Sequence, residues 1–430
     1  MLQIYVVKSG DTLFSIARMF SIPLERLIQS NMVPNPDDLV VGQTLVIPIW
    51  GSYHFVEPGE SLYQIGRQYN IPVSEILRIN SITDPNKIYA GMRLYIPQRP
   101  RMTVDVGAYI DPLITGPERA PSEIDKVADN LTYLSIFKYA VRSDGSITTD
   151  IQDQPLINAA YRHRTVPLMV LTNFEGGTFK RELATTILSN PSLQDKVLDQ
   201  AISTMTRKGY LGLDFDFEYL GAENRERYTD FLRKAAERLR QRNFFISAAL
   251  APKISGDQKG ILYEGHDYKA IGEIVDFIFF MTYEWGWSGG PPLPVAPIDQ
   301  VRRVMEYAIS VVPKDKIMMG IPLYGYDWTL PYVPGGKFAE SIGMQEAIMR
   351  AARNNVAIQY DTTAQSPHYN YTDSQGRRHE VWFEDARSIQ AKFNLVKELG
   401  IRGFYYWVLG KDFPQNWLLL QDNFIVRKRV

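Results

Sequence analysis

The chain has 430 residues, no cysteine, and 47 basic against 48 acidic side chains, with a pI near 6.6. That balance excludes an electrostatic grip on nucleic acid, and the missing cysteines exclude disulfides, thiol catalysis and cysteine metal sites. Met1-Leu2-Gln3-Ile4-Tyr5 lacks the basic start and apolar stretch of a secretory leader, and no apolar run reaches the roughly 20 residues of a membrane span. The length allows two or three domains.

The first hundred residues repeat themselves. Gly10 and Gly59, Leu13 and Leu62, Asn31 and Asn80, Gly42 and Gly91, and Ile47-Pro48 and Ile96-Pro97 all stand at an offset of 49. Such a period marks two copies of one small unit, spanning residues 1–49 and 50–98. Each reads strand, turn, helix, helix, strand. In the first copy Tyr5-Val6-Val7 is a strand, residues 12–20 have helical spacing, Pro23 opens a second helix, and Leu45-Val46-Ile47 is the closing strand. Gln98-Arg99-Pro100-Arg101 is a short linker.

From residue 102 to the end, strand and helix patterns alternate. Strands are expected at 104–109, 131–139, 166–173, 211–219, 244–251, 275–283, 317–324 and 403–408, with helices between them such as 224–242 and 385–399. Eight strands alternating with helices make an α/β chain whose strands close into a parallel barrel rather than an open sheet. Residues 330–383 break the rhythm, and Tyr369-Asn370-Tyr371, Gly376 and Val381-Trp382-Phe383 predict a hairpin inserted after strand seven. Arg427-Lys428-Arg429 reads as a solvated basic tail.

Leu211-Gly212-Leu213-Asp214-Phe215-Asp216-Phe217-Glu218 carries the chemistry. Side chains on a strand alternate between faces, so the three acids share one face and Phe215 and Phe217 the other. Stacked carboxyls oppose folding, which points to catalysis or a metal. Spread along one strand, they cover roughly 13 Å, too far to share an ion, and the five histidines form no ligand cluster. His163 and His266 are expected at the surface or a helix edge. Neither a metal nor a cofactor is expected. With Glu218 at the strand exit, repulsion from a carboxylate one layer below favours its proton.

The acidic run resembles the Asp-x-x-Asp-x-Asp-x-Glu strand of the chitinase-like glycoside hydrolases of family 18, with Leu211 at the position of the first acid. The resemblance implies a (β/α)8 TIM barrel over residues 102–430, with a small α+β insertion at about 330–383 that walls the cleft. It also implies a substrate-assisted mechanism, in which the sugar's own 2-acetamido oxygen attacks and the anomeric configuration is retained. In that scheme Glu218 protonates the leaving oxygen and then deprotonates water. Asp216 orients the acetamido N–H, Asp214 tunes Asp216, and Tyr283 holds the acetamido oxygen. Met281-Thr282-Tyr283-Glu284 resembles the family's Met-x-Tyr-Asp, with Glu284 one methylene longer, and Trp407 matches the tryptophan under the cleaved sugar. Tyr109, Asn173 and Tyr324, at other strand ends, are cleft candidates.

The two small units resemble LysM modules in their Gly-Asp-Thr-Leu and Gly-Glu-Ser-Leu corners. The resemblance implies glycan grooves at Gly10, Asp11, Thr12 and Leu13 with residues 33–38, and at Gly59, Glu60, Ser61 and Leu62 with residues 82–87. Together the parts resemble spore cortex-lytic N-acetylglucosaminidases. They imply hydrolysis of the β-1,4 bond after N-acetylglucosamine in peptidoglycan, by a protein made without an export signal in the mother cell and placed at the coat and cortex boundary. A chitinase acting on chitin oligomers, and a glycan-binding spore-coat protein with an inert barrel, are the alternatives. No protein partner is predictable.

Overall fold

The computed structural model describes residues 2–33, 35–48, 52–69, 71–96 and 101–430. Linker positions Gln98, Arg99 and Pro100, the repeated Pro97, and Pro34 of the first expected groove lie outside the described residues.

Both small units fold as their pattern predicts. The first pairs strands Gln3–Val6 and Thr44–Ile47 antiparallel around helices Leu13–Met19 and Leu24–Asn31. The second does the same with Ser52–Phe55, Arg93–Ile96, Leu62–Tyr69 and Val73–Ile79. Thr12 and Ser15 form a reciprocal capping box that starts the first helix. Asn31 explains one repeated position: its amide accepts from Val46 N at 2.7 Å and donates to Val46 and Leu27 carbonyls at 2.9 Å. Asn80 makes the same three bonds to Tyr95 and Ile76. Each unit has its own apolar core.

The units differ in their surroundings. Leu2, Val40 and Val46 of the first are buried in the apolar core of the large domain. Leu2 N donates to Asp422 at 2.7 Å, Ile358 N to the Val41 carbonyl at 2.9 Å, and Gln345 Nε2 to the Asn31 carbonyl at 3.1 Å.

Eight parallel strands form the large domain: Met102–Ile110, Tyr133–Val141, Val166–Thr172, Gly212–Asp216, Phe245–Leu250, Phe277–Phe280, Ile317–Pro322 and Gly403–Trp407. They pair in chain order, and strand eight joins strand one to close the barrel. On strand four Asp214 and Asp216 point inward. Outside, Phe215 and Phe217 meet Phe231 and Tyr228 of helix Arg225–Arg240, with ring centroids 5.7 and 5.8 Å apart.

Three expectations need correction. Strand four ends at Asp216, so Glu218 stands beyond the ladder, where loop contacts rather than pleat direct it. The insertion starts at Gly325, not 330, and is more than a hairpin. It is a five-stranded antiparallel sheet in the order Glu340–Ile342, Gly325–Leu330, Arg378–Trp382, Ser366–Thr372, Gln359–Asp361, with helix Met344–Arg353. The expected hairpin, with Tyr369-Asn370-Tyr371 and Val381-Trp382 on its two strands and Gly376 in its turn, is the centre of that sheet. The basic tail is not a solvated end. Strand Phe424–Val426 pairs with strand one, and Arg427 and Arg429 join Arg402 on fully buried Asp105, at 2.8 to 3.0 Å. A carboxylate that deep requires compensating charge, and the tail supplies it.

Candidate active site

The carboxyl ends of the barrel strands surround a cavity of about 750 Å³, lined among others by Tyr109, Asp216, Glu218, Met281, Tyr283, Glu284, Tyr324 and Trp407. Residues from five strand ends, spread over some three hundred positions of the chain, therefore face one space.

Asp214 lies at the bottom, fully enclosed. Its Oδ2 accepts from Tyr109 Oη at 2.5 Å and Ser135 Oγ at 2.9 Å, and its Oδ1 from Ser247 Oγ at 2.7 Å. Burial raises its pKa while the three hydroxyls pull it back. Asp216, one layer higher, is buried without such help: its Oδ1 has no hydrogen-bond partner among the described residues. Burial, then the charges of Glu218 and Asp214, push its pKa well up. A buried acceptor with no partner, at the floor of an open cavity, is placed for a donor brought by a ligand.

Glu218 is half-buried at the cavity wall, and its pKa is pushed up to about 8, by burial first and then by the charge of Glu284. The repulsion between Glu218 and Asp216 beneath it is mutual and ties the two protons together; a second carboxyl faces Glu218 as well, Glu284, from the loop after strand six. Glu284 adopts φ 68° and accepts hydrogen bonds from Tyr324 Oη and, at 2.9 Å, from Tyr326 Oη. Burial raises the Glu284 pKa, and the two tyrosines oppose the rise. Tyr283 is buried beside these acids, and burial followed by their charges keeps its phenol protonated. Trp407 half-faces the cavity and rests on Tyr109 and Phe137, each ring centroid 5.3 Å away.

Asn173 does not face the cavity. It is fully buried, and its amide clasps the Glu218 backbone: Glu218 N donates to Oδ1 at 3.0 Å, and Nδ2 donates to the Glu218 carbonyl at 2.9 Å and to the Lys180 carbonyl at 3.0 Å. His266 is not at the surface but wholly enclosed. Ala251 N donates to its Nδ1 at 3.0 Å, so Nε2 carries the proton and donates to the Phe217 carbonyl at 2.9 Å. Burial lowers its pKa to about 4. The two residues brace the turn from either side of the Phe217–Glu218 peptide. His163, by contrast, caps helix Gln154–Arg162 between Asp125 and Asp129, at the edge expected for it.

Sequence reasoning missed Ser135, Ser247 and Tyr326. The two serines are small polar residues at inward positions of otherwise apolar strands, Tyr-Leu-Ser-Ile-Phe and Phe-Ile-Ser-Ala-Ala-Leu, and that break was the available signal. Tyr326 repeats Tyr324 at the strand period.

In the small units Gly10 and Gly59 form the expected turns at φ 85° and 82°. Asp11 accepts from Tyr5 Oη and Lys8 N at 2.8 Å, and Glu60 from His54 at 2.7 Å and Glu57 N at 2.8 Å. Thr12 and Ser61 are taken up in helix starts. The side chains of Leu13 and Leu62 are buried in the unit cores, which removes them from the expected grooves, because a groove contact would expose them.

Family comparisons agree with this layout. Residues 110–412 match Glycosyl hydrolases family 18, and residues 5–48 and 54–97 each match the LysM domain. The chain is 52% identical to the cortical fragment-lytic enzyme of Bacillus subtilis (strain 168) and 46% identical to that of Bacillus cereus, each over 100% of both chains. The crystal structure of the spore cortex-lytic enzyme SleL of Bacillus megaterium QM B1551 superposes with a TM-score of 0.90 at 46% identity, covering 100% of this chain and 99% of that one.

Proposed function

The chain belongs to the glycosyl hydrolases of family 18 and is a glycoside hydrolase, and on that premise we propose that it cleaves the β-1,4 bond after N-acetylglucosamine in spore cortex peptidoglycan, with retention. The observation that carries this reading is the unpartnered, buried Asp216 Oδ1 beneath Glu218, in a cavity floored by Trp407. An acetamido N–H satisfies that oxygen, and its carbonyl oxygen, held by Tyr283, is then turned toward the anomeric carbon. Glu218, protonated up to about pH 8, gives its proton to the leaving oxygen and takes one back from water. Asp214, anchored by three hydroxyls, tunes the protonation of Asp216 from the layer beneath. Met281, Glu284, Tyr109 and Tyr324 shape the wall around the sugar.

The names of the full-length relatives support cortex as the substrate and the spore as the location, and the coat and cortex boundary is our own placement within it. We assign residues 1–49 and 50–98 to glycan binding and 102–430 to catalysis. No helix among the described residues is long and apolar enough to cross a membrane. Mass analysis of digests of purified cortex and of chitin tests the substrate: muropeptides ending in N-acetylglucosamine are expected, and preferential release of chitin oligomers would replace the reading with a chitinase. A glycan with a bare hydroxyl at carbon two of the reacting ring is expected to resist cleavage. Its turnover at similar speed, or a trapped sugar ester on the protein, would refute the assisted mechanism. Glu218→Gln is expected to bind glycan without turnover, which also separates an enzyme from an inert binding protein.

A further inference from the structure

The two LysM units carry the same fold but present different outer sheet faces. In the first, Ile4 and Val46 turn toward the barrel, with Val40 beside them at 5% exposure. Nothing can slip between: a Cβ added at Gly42 would lie 1.9 Å from the Ile358 carbonyl oxygen. In the second, the same positions are Tyr53, Tyr95 and Tyr89, and Gly91 has nothing within 4 Å of an added Cβ. Tyr89 is 68% exposed. Tyr53 and Tyr95 are cross-strand partners with centroids 5.8 Å apart, and the exposed Arg93 guanidinium lies over the Tyr53 ring at 4.5 Å. Where copy one has an aliphatic docking face, copy two has an open face of three tyrosines and one cation.

We propose that the face formed by Tyr53, Tyr89, Arg93 and Tyr95 is a second binding surface for peptidoglycan, distinct from the loop grooves at Gly59–Leu62. The inference rests on the proposed substrate. Tyrosine rings offer flat apolar area and a hydroxyl at little entropic cost, and such residues with arginine dominate binding energy at interfaces. Sugar rings present C–H faces to stack on them. Arg93 has no carboxylate within ion-pair reach among the described residues, and peptide stems of peptidoglycan supply carboxylates while chitin has none. That difference commits the face to peptidoglycan.

Co-sedimentation of the full chain with cortex sacculi and with chitin tests this, in a Glu218→Gln background so that the polymer is not digested. Adding Tyr89→Ala and Arg93→Gln is expected to weaken sacculus binding about tenfold. Arg93→Gln alone should weaken sacculus binding, more so at low salt, and leave chitin binding unmoved. Tyr89→Trp should retain binding, which separates a lost ring from a damaged fold, and melting curves check each variant. Equal sacculus binding by the parent and the double variant overturns the proposal alone. A parent chain that dimerises through this face, and is monomeric as Tyr89→Ala, overturns it in favour of self-association. A parent that binds neither polymer overturns both this proposal and the glycan-binding reading beneath it.

Discussion

At the scale of single residues, proton placement decides the chemistry. Glu218 holds its proton up to about pH 8 because burial and the Glu284 charge disfavour the anion. Turnover should therefore fall above that pH. Glu284→Gln removes the like charge, so the alkaline limb of the pH–rate profile is expected to move to lower pH. It should stay above the ordinary carboxyl range, since burial is the larger cause; an unmoved limb would exclude Glu284 as the neighbour that matters. The same shift has a stability consequence. A carboxyl whose pKa is raised on folding contributes stability below about 4.5, and that contribution is lost as pH rises through about 8. Glu218→Gln should thus melt with the parent at pH 4 and above it at pH 9, by on the order of 2 kcal/mol once partial solvent contact is allowed for. Asn173→Ala makes a different prediction. It removes the clasp on the Glu218 backbone without touching the cavity, so kcat should drop by up to about 10²-fold with KM little moved. The chemistry of Asn173 was legible as a polar residue ending strand three, but its direction was not. Period-two alternation fixes orientation only while the ladder lasts, and Asn173 follows the last ladder residue, Thr172. Glu218, two residues past its strand, was legible by resemblance, but its second charged neighbour, Glu284, was not, for the same reason.

At the scale of elements, the eight strands and both small units could be read from pattern, because apolar periodicity and a fixed offset of 49 are local properties of the chain. What could not be read was which unit docks. The signal lay in the differences between copies: Ile4 against Tyr53 and Val46 against Tyr95 change the outer face, while the inner core positions keep their character. The insertion was underestimated because Tyr326 and Trp328 continue the period set by Tyr324 beyond strand seven, so that the break at Gly325 reads as part of one run. Docking predicts an asymmetry between matched glycines. Both Gly42 and Gly91 have positive φ, so alanine at either is strained by about 1–2 kcal/mol. Only at Gly42 does the added carbon meet a carbonyl oxygen, at 1.9 Å. Gly42→Ala should therefore lower the melting temperature clearly more than Gly91→Ala. Equal losses would mean that the first unit is not held against the barrel in solution.

At the scale of the whole molecule, the first unit is part of the catalytic body and the second extends from it. On the proposed glycan-binding role, the LysM units tether the hydrolase by raising the local glycan concentration, so their loss should affect action on a polymer more than on a fragment. Here the tether and the support are partly the same residues. Removing residues 1–98 strips Leu2, Val40 and Val46 from the shared core and leaves the Asp422 carboxyl without the Leu2 amide. The truncated barrel should melt several degrees lower and aggregate sooner, since the uncovered face is apolar. None of the cavity-lining residues belongs to either unit, so at temperatures well below that transition cleavage of short soluble fragments should survive within a few-fold. Digestion of intact sacculi should fall at least about tenfold under the same conditions. Measuring both rates at two temperatures separates the effects: a loss confined to sacculi in the cold is the tether, and a further loss on both substrates on warming is the missing support. Equal loss on both substrates in the cold would contradict tethering and make the first unit a scaffold for the cleft itself.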